Sequence, residues 1–246
     1  MKNTSDKGRS TSDDATNERR IARILREMRG GPRADYERIE AETVERLHDE
    51  LHSRRVTDGI VDTDTVWFTP VVDQWMRSID VGEEMLTTDS VVRYAAANEE
   101  TLALRDALLV SLLSEADRDS VLRMACEPHS ADSVHTVYDA LTAVFTESTA
   151  VPDLPRCAMG VQMHAHLLKA LPRRYTAHVH ASLAYLCWWM GFFSEARDSA
   201  EIALDINPSC TLADIILNAL RFRIMPAWAD FALGEIDDDN CGPCET

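Results

Sequence analysis

The chain has 246 residues, of which 45% are hydrophobic and only 9 are Gly and 9 Pro, a composition typical of a globular protein with a substantial core. Its formal net charge is −17, because residues 61–246 contain 12 basic and 29 acidic side chains whereas residues 1–60 contain 13 of each. A surface this acidic repels nucleic acid and anionic lipid, and no apolar run approaches the roughly 20 residues that span a bilayer.

The N-terminal region predicts a tail followed by a charged arm. Residues 1–15 are rich in Ser, Thr, Asp and Lys, which predicts disorder, and they contain no leader-like apolar segment. Residues 16–56 predict two charged helices with thin apolar stripes, held loosely as an arm that could dock on the body or on a partner. Arginines 19, 20, 23, 26 and 29 alternate with glutamates, which favours a solvated helix. Nucleic-acid binding through the arm is the weaker alternative.

One stretch has the character of β-structure. Asp58-Gly59 is a turn signal, and Val61, Val66, Trp67 and Phe68 favour a strand. The sequence therefore predicts a short hairpin near residues 56–70, or an irregular crossover in its place.

From about residue 71 the apolar periodicity is helical almost to the end of the chain. Ser114 and Ser130 precede apolar helical patterns as N-caps do, and Pro152, Pro155 and Pro172 separate further helices. Short loops between consecutive helices favour a bundle or a solenoid. We predict a mostly α-helical body over residues 57–232 and an acidic flexible tail over residues 233–246.

The strongest local pattern covers residues 177–210, which resemble one tetratricopeptide repeat, a helix–turn–helix unit of 34 residues. Small residues let the two helices approach closely, Gly ends the first helix and Pro stops the second. A single repeat cannot bury its apolar face alone, so the neighbouring helices must cover it. The matching positions are Leu183, Ala184, Gly191, Phe193, Ala196, Ala203 and Pro208.

A wider resemblance runs over about residues 100–230. "RDALL" at 105–109, "LAYLCWWMGFFSEARDSAEIALDINPSC" from Leu183 and "MPAWA" at 225–229 are similar to the C-terminal half of the actinobacterial domain-of-unknown-function family 4192. The β-rich N-terminal half of that family has no counterpart in this chain. The resemblance implies a fold and a lineage, and it implies no activity.

Three aromatic side chains are the candidate partner-binding residues. In tetratricopeptide units the positions of Tyr185, Trp188 and Trp189 tend to line the concave face, where exposed aromatic rings would anchor a partner. The alternative is that these rings pack in the core, because Trp and Tyr carry large apolar areas.

The cysteines and histidines are candidates for redox chemistry or metal binding. Cys241-Gly-Pro-Cys244 has the letters of a thioredoxin site, but no helix follows it and three Asp precede it, so an unstructured tail is the favoured interpretation and half a zinc site the alternative. His164, His166, His178 and His180 could chelate a metal only if one His from each of two packed helices met. Cys126 and His129 share a loop and have no visible third ligand.

We therefore predict a cytoplasmic protein–protein interaction or scaffold module with no cofactor, no catalytic constellation and no membrane partner. Six Cys in a chain of this length do not form a disulfide framework, which favours a reducing compartment. The acidic surface favours basic protein partners and argues against nucleic acid. The two alternatives are a metal-dependent Cys/His regulator or enzyme, and a nucleic-acid-associated regulator acting through the N-terminal arm.

Overall fold

The computed structural model describes residues 11–29 and 37–229. Over these residues the chain is all-helical, with no strand or sheet, as the composition and periodicity predicted. Eleven α-helices and one 3-10 helix (Arg173–Tyr175) follow one another. The α-helices are α1 (Thr11–Arg29), α2 (Ala41–Thr57), α3 (Ile60–Val81), α4 (Thr88–Glu100), α5 (Ala103–Leu113), α6 (Arg118–Cys126), α7 (Ala131–Thr146), α8 (Leu154–Ala170), α9 (Ala177–Trp189), α10 (Phe193–Ile206) and α11 (Thr211–Arg221).

The hairpin predicted near residues 56–70 is wrong, because this stretch forms the end of α2 and the first half of α3. The turn signal is real: Gly59, with φ of +95°, separates the two helices. The apolar residues that favour strand instead recur at helical spacing, and together they put one face of α3 into the core. That face contains Trp67, Phe68, Val71, Val72 and Trp75.

The N-terminal helices pack on the body, which corrects the prediction of a loosely held arm. Ile21 and Leu25 of α1 are buried where α1 packs on α8, and the Arg20 guanidinium donates to Gln162 Oε1 at 2.6 Å. Val44 and Leu51 of α2 are fully buried against the core. Helix α1 begins at Thr11, so residues 11–15 of the predicted tail are helical, whereas residues 1–10 lie outside the described part of the chain.

Of the two predicted N-caps, Ser114 and Ser130, the structure confirms Ser130. Ser130 caps α7 through a bond from the Ser133 N–H to its hydroxyl oxygen at 3.2 Å. Helix α6 begins three residues later than predicted, because Asp117 and not Ser114 is its cap and accepts from the Ser120 N–H at 2.8 Å. Ser114 ends α5 instead.

Helix α9 lies at the centre of the C-terminal half. Eleven of its 13 residues are buried, so it must be covered on every side, and α5, α8, α10 and α11 provide that cover. Gly160 lets α8 pack closely, since a Cβ there would lie 2.5 Å from the buried Leu112 side chain of α5. The close approach of these helices leaves little room for larger residues at this point.

Polar groups in the core are arranged around Trp75. Its indole N–H donates to Ser111 Oγ at 3.1 Å, and its ring meets His164 edge-on with 5.5 Å between ring centroids. His164 Nδ1 lies 2.7 Å from the Gly160 carbonyl oxygen. Burial lowers the pKa of His164 to about 4, so the ring is neutral in the folded protein at pH 7.

A buried histidine with a lowered pKa makes the fold sensitive to acid. Its stabilising effect is complete above the unfolded-state pKa of about 6.5 and is lost as the pH falls toward the folded-state pKa. We expect the free energy of unfolding, relative to that of His164→Phe, to fall by about 2 kcal/mol between pH 7 and pH 5. Phe keeps a ring against Trp75 and cannot titrate, and urea denaturation at several pH values measures the difference. A difference independent of pH would contradict the assignment of a neutral buried His164.

Candidate functional site

The aromatic residues predicted to contact a partner are in the core. Tyr185 is 4% exposed, Trp188 is not exposed at all, and Trp189 is 1% exposed. The chain after α11 folds back over the end of α9, where the Trp188 indole N–H donates to the Ile224 carbonyl at 3.0 Å and the Trp228 indole N–H to the Trp189 carbonyl at 2.9 Å. These three rings therefore pack in the core, as the alternative interpretation of the sequence held, and they expose almost no surface to a partner.

The repeat-like positions occupy a helix–turn–helix made of α9 and α10. Gly191 lies between the helices with φ of +83°, a conformation that other residues adopt with strain. Ala184, Ala196 and Ala203 are fully buried and Leu183 is 1% exposed, so the small residues lie between packed helices. Phe193 begins α10, and Pro208 follows its end at Ile206.

Helix α7 presents one of the apolar surfaces of this part of the molecule, where Ile215, Phe222 and Ile224 are also exposed. Only Ser133 and Val144 of its 16 residues are buried, so the helix rests lightly on α5 and α6. Val134 is 54% exposed, Tyr138 65% and Phe145 45%, while Leu141 between them is half-buried. These four side chains recur at intervals of four, three and four residues and therefore form one stripe along the helix. We call them the α7 stripe.

One end of the α7 stripe is anchored to the buried aromatic group. The Phe145 ring lies against Trp188 with 5.2 Å between centroids, and Trp188 meets Tyr185 edge-on at 5.6 Å. The outer part of Phe145 remains open to solvent while its inner part touches the core. The rings singled out from the sequence are thus the rigid support of an exposed surface formed by another helix.

The surroundings of the α7 stripe are acidic. No Lys or Arg occurs in residues 124–155, a span that includes all of α7. His135 pairs with Asp139 along the helix at 3.2 Å, and Arg123 lies 3.8 Å from Asp132 at its start. The span nevertheless has a net negative charge at pH 7, and this charge lies alongside the apolar stripe. Its five carboxylates are Glu127, Asp132, Asp139, Glu147 and Asp153.

A second cluster of polar side chains joins α2, α3 and α4. Arg55 of α2 contacts the carboxylates of Asp64 in α3 and Glu100 in α4. Its Nε lies 3.1 Å from Asp64 Oδ1, and its Nη1 lies 3.0 Å from Glu100 Oε1. His48 Nε2 and His52 Nδ1 also approach Glu100 Oε2, at 3.3 Å and 3.1 Å. Burial raises the pKa of Glu100, but the hydrogen bonds and positive charge of His52 and Arg55 outweigh burial and lower it overall.

One feature of this cluster, the spacing of its two histidines, is visible in the sequence. His48 and His52 are four residues apart, and this spacing places two side chains on one face of a helix. The carboxylate between them comes from Glu100, about 50 residues later in the chain, and no local pattern connects the two. Every charge of the cluster has an opposite partner, so it acts as a clamp between three helices.

Among the residues described, the metal-ligand candidates do not form a group of three ligands, although His164 of α8 and His180 of α9 are close enough to interact. His164 bonds within α8 and His166 pairs with Glu84, while His178 lies beside Arg105 at 3.1 Å, and Cys126 is a buried free thiol. Over residues 11–29 and 37–229, no three His, Cys, Asp or Glu side chains are grouped to hold a metal ion. Cys241 and Cys244 lie outside these residues, so the zinc alternative at the tail stays a prediction.

Comparisons with protein-family models, curated proteins and solved structures gave no match to this chain. The resemblances to a tetratricopeptide repeat and to the domain-of-unknown-function family therefore stay predictions. Among the helices that the structure describes, none combines the length and apolar character needed to cross a membrane.

The clamp gives a test of the electrostatics at Asp64, which is 2% exposed. Burial raises the pKa of Asp64 to about 6, with Arg55 opposing that rise and Glu100 adding to it. A carboxyl with a raised folded-state pKa stabilises most when protonated, and this contribution is lost as the pH rises through about 4 to 6. Relative to Asp64→Asn, we expect the unfolding free energy to fall by about 2 kcal/mol from pH 4 to pH 7.

Urea denaturation of both proteins at matched pH measures this difference. Every other ionisable group is common to the two proteins, so its contribution cancels to first order. A difference that grows with pH would mean that ionised Asp64 is stabilised by Arg55 more than burial penalises it, and would overturn the assignment.

Proposed function

We propose that the protein is a cytoplasmic protein–protein interaction or scaffold module whose contact surface is the α7 stripe. The observation that carries the proposal is the exposure of three large apolar side chains in one row on a helix whose inner face rests on a rigid aromatic support. Exposed apolar rows of this kind occur at protein contact sites, where buried aromatic anchors supply most of the binding energy.

The charge around the stripe selects the chemistry of the partner. With no Lys or Arg over residues 124–155, the rim of the surface is acidic, and it favours a segment that has basic residues beside an apolar face. A second copy of this chain would bring the same carboxylates together, and like charges across an interface are unfavourable. We therefore propose an amphipathic helix with flanking Lys and Arg as the partner element.

The lineage stays part of this proposal. The bounds of α9 and α10, the positive φ of Gly191 and the buried alanines support a tetratricopeptide-like unit. The placement of Phe145 against Trp188 explains why such a unit would use a neighbouring helix and not its own concave face. Membership of the domain-of-unknown-function family would add no activity to this scaffold function.

The test begins with the partner itself. A photoreactive benzophenone side chain placed at position 138 in the native host cross-links whatever lies on the stripe, and mass spectrometry identifies the product. We expect a heterologous protein joined through a basic amphipathic segment. A cross-link only to a second copy of the chain would contradict the proposed occupant.

A variant pair then measures the contribution of the stripe. We expect Val134→Ser combined with Tyr138→Ser to weaken binding of the identified partner by about tenfold or more, because two apolar contacts are lost. Val56→Ser combined with Val66→Ser is the matched control, since both side chains are at least as exposed as Val134 and Tyr138 but lie at the end of α2 and in the first half of α3. Calorimetric titration compares the dissociation constants, and equal weakening by the two pairs would remove the assignment to α7.

A further inference from the structure

A cleft on the opposite side of the helical body has the character of a ligand site. It has a volume of about 860 Å³ and lies between the chain that enters α2, the end of α8 and the start of α9. The Ile39 N–H donates to the Ala170 carbonyl at 2.9 Å, which fixes the entering chain to α8 along one side of the cleft. This volume lies within the range of small-molecule sites.

The cleft is basic in a chain whose net charge is −17. Arg38, Lys169 and Arg173 line it with His180, and Glu40 is the single carboxylate among the lining residues of the described chain. Arg173 pairs with Asp205, and both side chains are 69% exposed. An ion pair so exposed contributes little, so the guanidinium can turn toward a ligand at small cost.

His180 brings an imidazole ring to the wall of the cleft. Its Nδ1 is buried and has no hydrogen-bond partner among the residues described. Burial, followed by the charge of Arg173 and the neighbouring His164, lowers the pKa of His180 to about 4, so the ring is neutral at pH 7. Because Nδ1 has almost no accessible surface, a ligand in the cleft meets the part of the ring that lines the cleft and not this nitrogen.

The remaining walls are apolar. Ile39, Ala41, Leu168 and Leu171 are among the lining residues, and the Ile39 N–H is already bonded to the Ala170 carbonyl. Such walls favour a hydrocarbon body, whereas the basic residues favour a negatively charged head. The two chemistries lie side by side in one cavity.

We propose that this cleft binds an aliphatic carboxylate, with its head among Arg38, Arg173 and His180 and its hydrocarbon body between Ile39 and Leu168. A guanidinium binds a carboxylate through two parallel N–H donors, which gives the head a defined orientation. The site does not depend on α7, so this proposal and the interaction function stand or fall separately.

Three probes separate head from body in a calorimetric titration of the full chain. Octanoate has both parts, acetate has only the head, and octanamide has only the body and no charge. We expect saturable binding of octanoate, with acetate and octanamide weaker by about tenfold or more. Octanamide binding as tightly as octanoate, or no saturable octanoate binding, would overturn the proposal.

Variants test the residues. We expect Arg38→Gln combined with Arg173→Gln to weaken octanoate binding by about tenfold or more, and His180→Gln to weaken it by about threefold or more. Arg174→Gln is the matched control, because Arg174 is adjacent in sequence but pairs with Glu45 and does not line the cleft. Circular dichroism verifies that each variant folds. Equal weakening by Arg174→Gln would show a general charge effect and reject the site.

The histidine ring provides a readout that does not depend on mutation. A carboxylate beside His180 favours the charged ring, so octanoate is expected to move its NMR titration to higher pH. The signal is assigned by its absence in His180→Gln. An unchanged His180 titration at saturating octanoate would place the ligand elsewhere and contradict the proposal.

Discussion

Burial of eleven of the 13 residues of α9 is the constraint on which the C-terminal half of the structure depends. A helix with apolar residues on all sides cannot face water, so α5, α8, α10 and α11 must surround it. Each neighbour meets it through small or flexible groups, with Ala196, Ala200 and Ala203 buried on α10 and Ala213 and Ala219 on α11. The chain after α11 completes the cover with Trp228 and Ile224.

This constraint also decides where a partner can bind. The aromatic rings of α9 are buried in the core. A contact surface must therefore come from a helix whose apolar side chains are only partly buried. Helix α7 is such an element, because it buries two residues and leaves a row of apolar side chains outward. Phe145 belongs to both regions, since its ring touches Trp188 and also reaches solvent. The surface is thereby attached to the buried aromatic group of α9.

The helical class and much of the C-terminal organisation could be predicted from the sequence. Periodicity, the cap at Ser130 and the turn at Gly191 are local signals, and local signals survive tertiary packing. The prediction of a hairpin around Trp67 and Phe68 was wrong because strand propensity contributes less free energy than burying one face of a helix. The docking of α1 could not be predicted, since Ile21 gives no indication of what it will contact.

At the sites, too, local sequence patterns could be predicted, whereas contacts between residues distant in sequence could not. That Trp188 is important could be predicted from the repeat pattern, but its burial depends on Ile224 and Phe145, which are distant in sequence. The His48–His52 spacing is visible, whereas its partner Glu100 is not. The cleft is assembled from Arg38, Arg173 and His180, three positions that no sequence motif connects.

The central claim is that a fixed α9 supports a lightly held α7, and native-state hydrogen exchange followed by mass spectrometry tests it most directly. Amides in α9 should exchange only through global unfolding, while amides in α7 should exchange through a local opening of distinctly lower free energy. Protection of α7 equal to that of α9 would contradict the account, because α7 would then belong to the core and not to a surface resting on it.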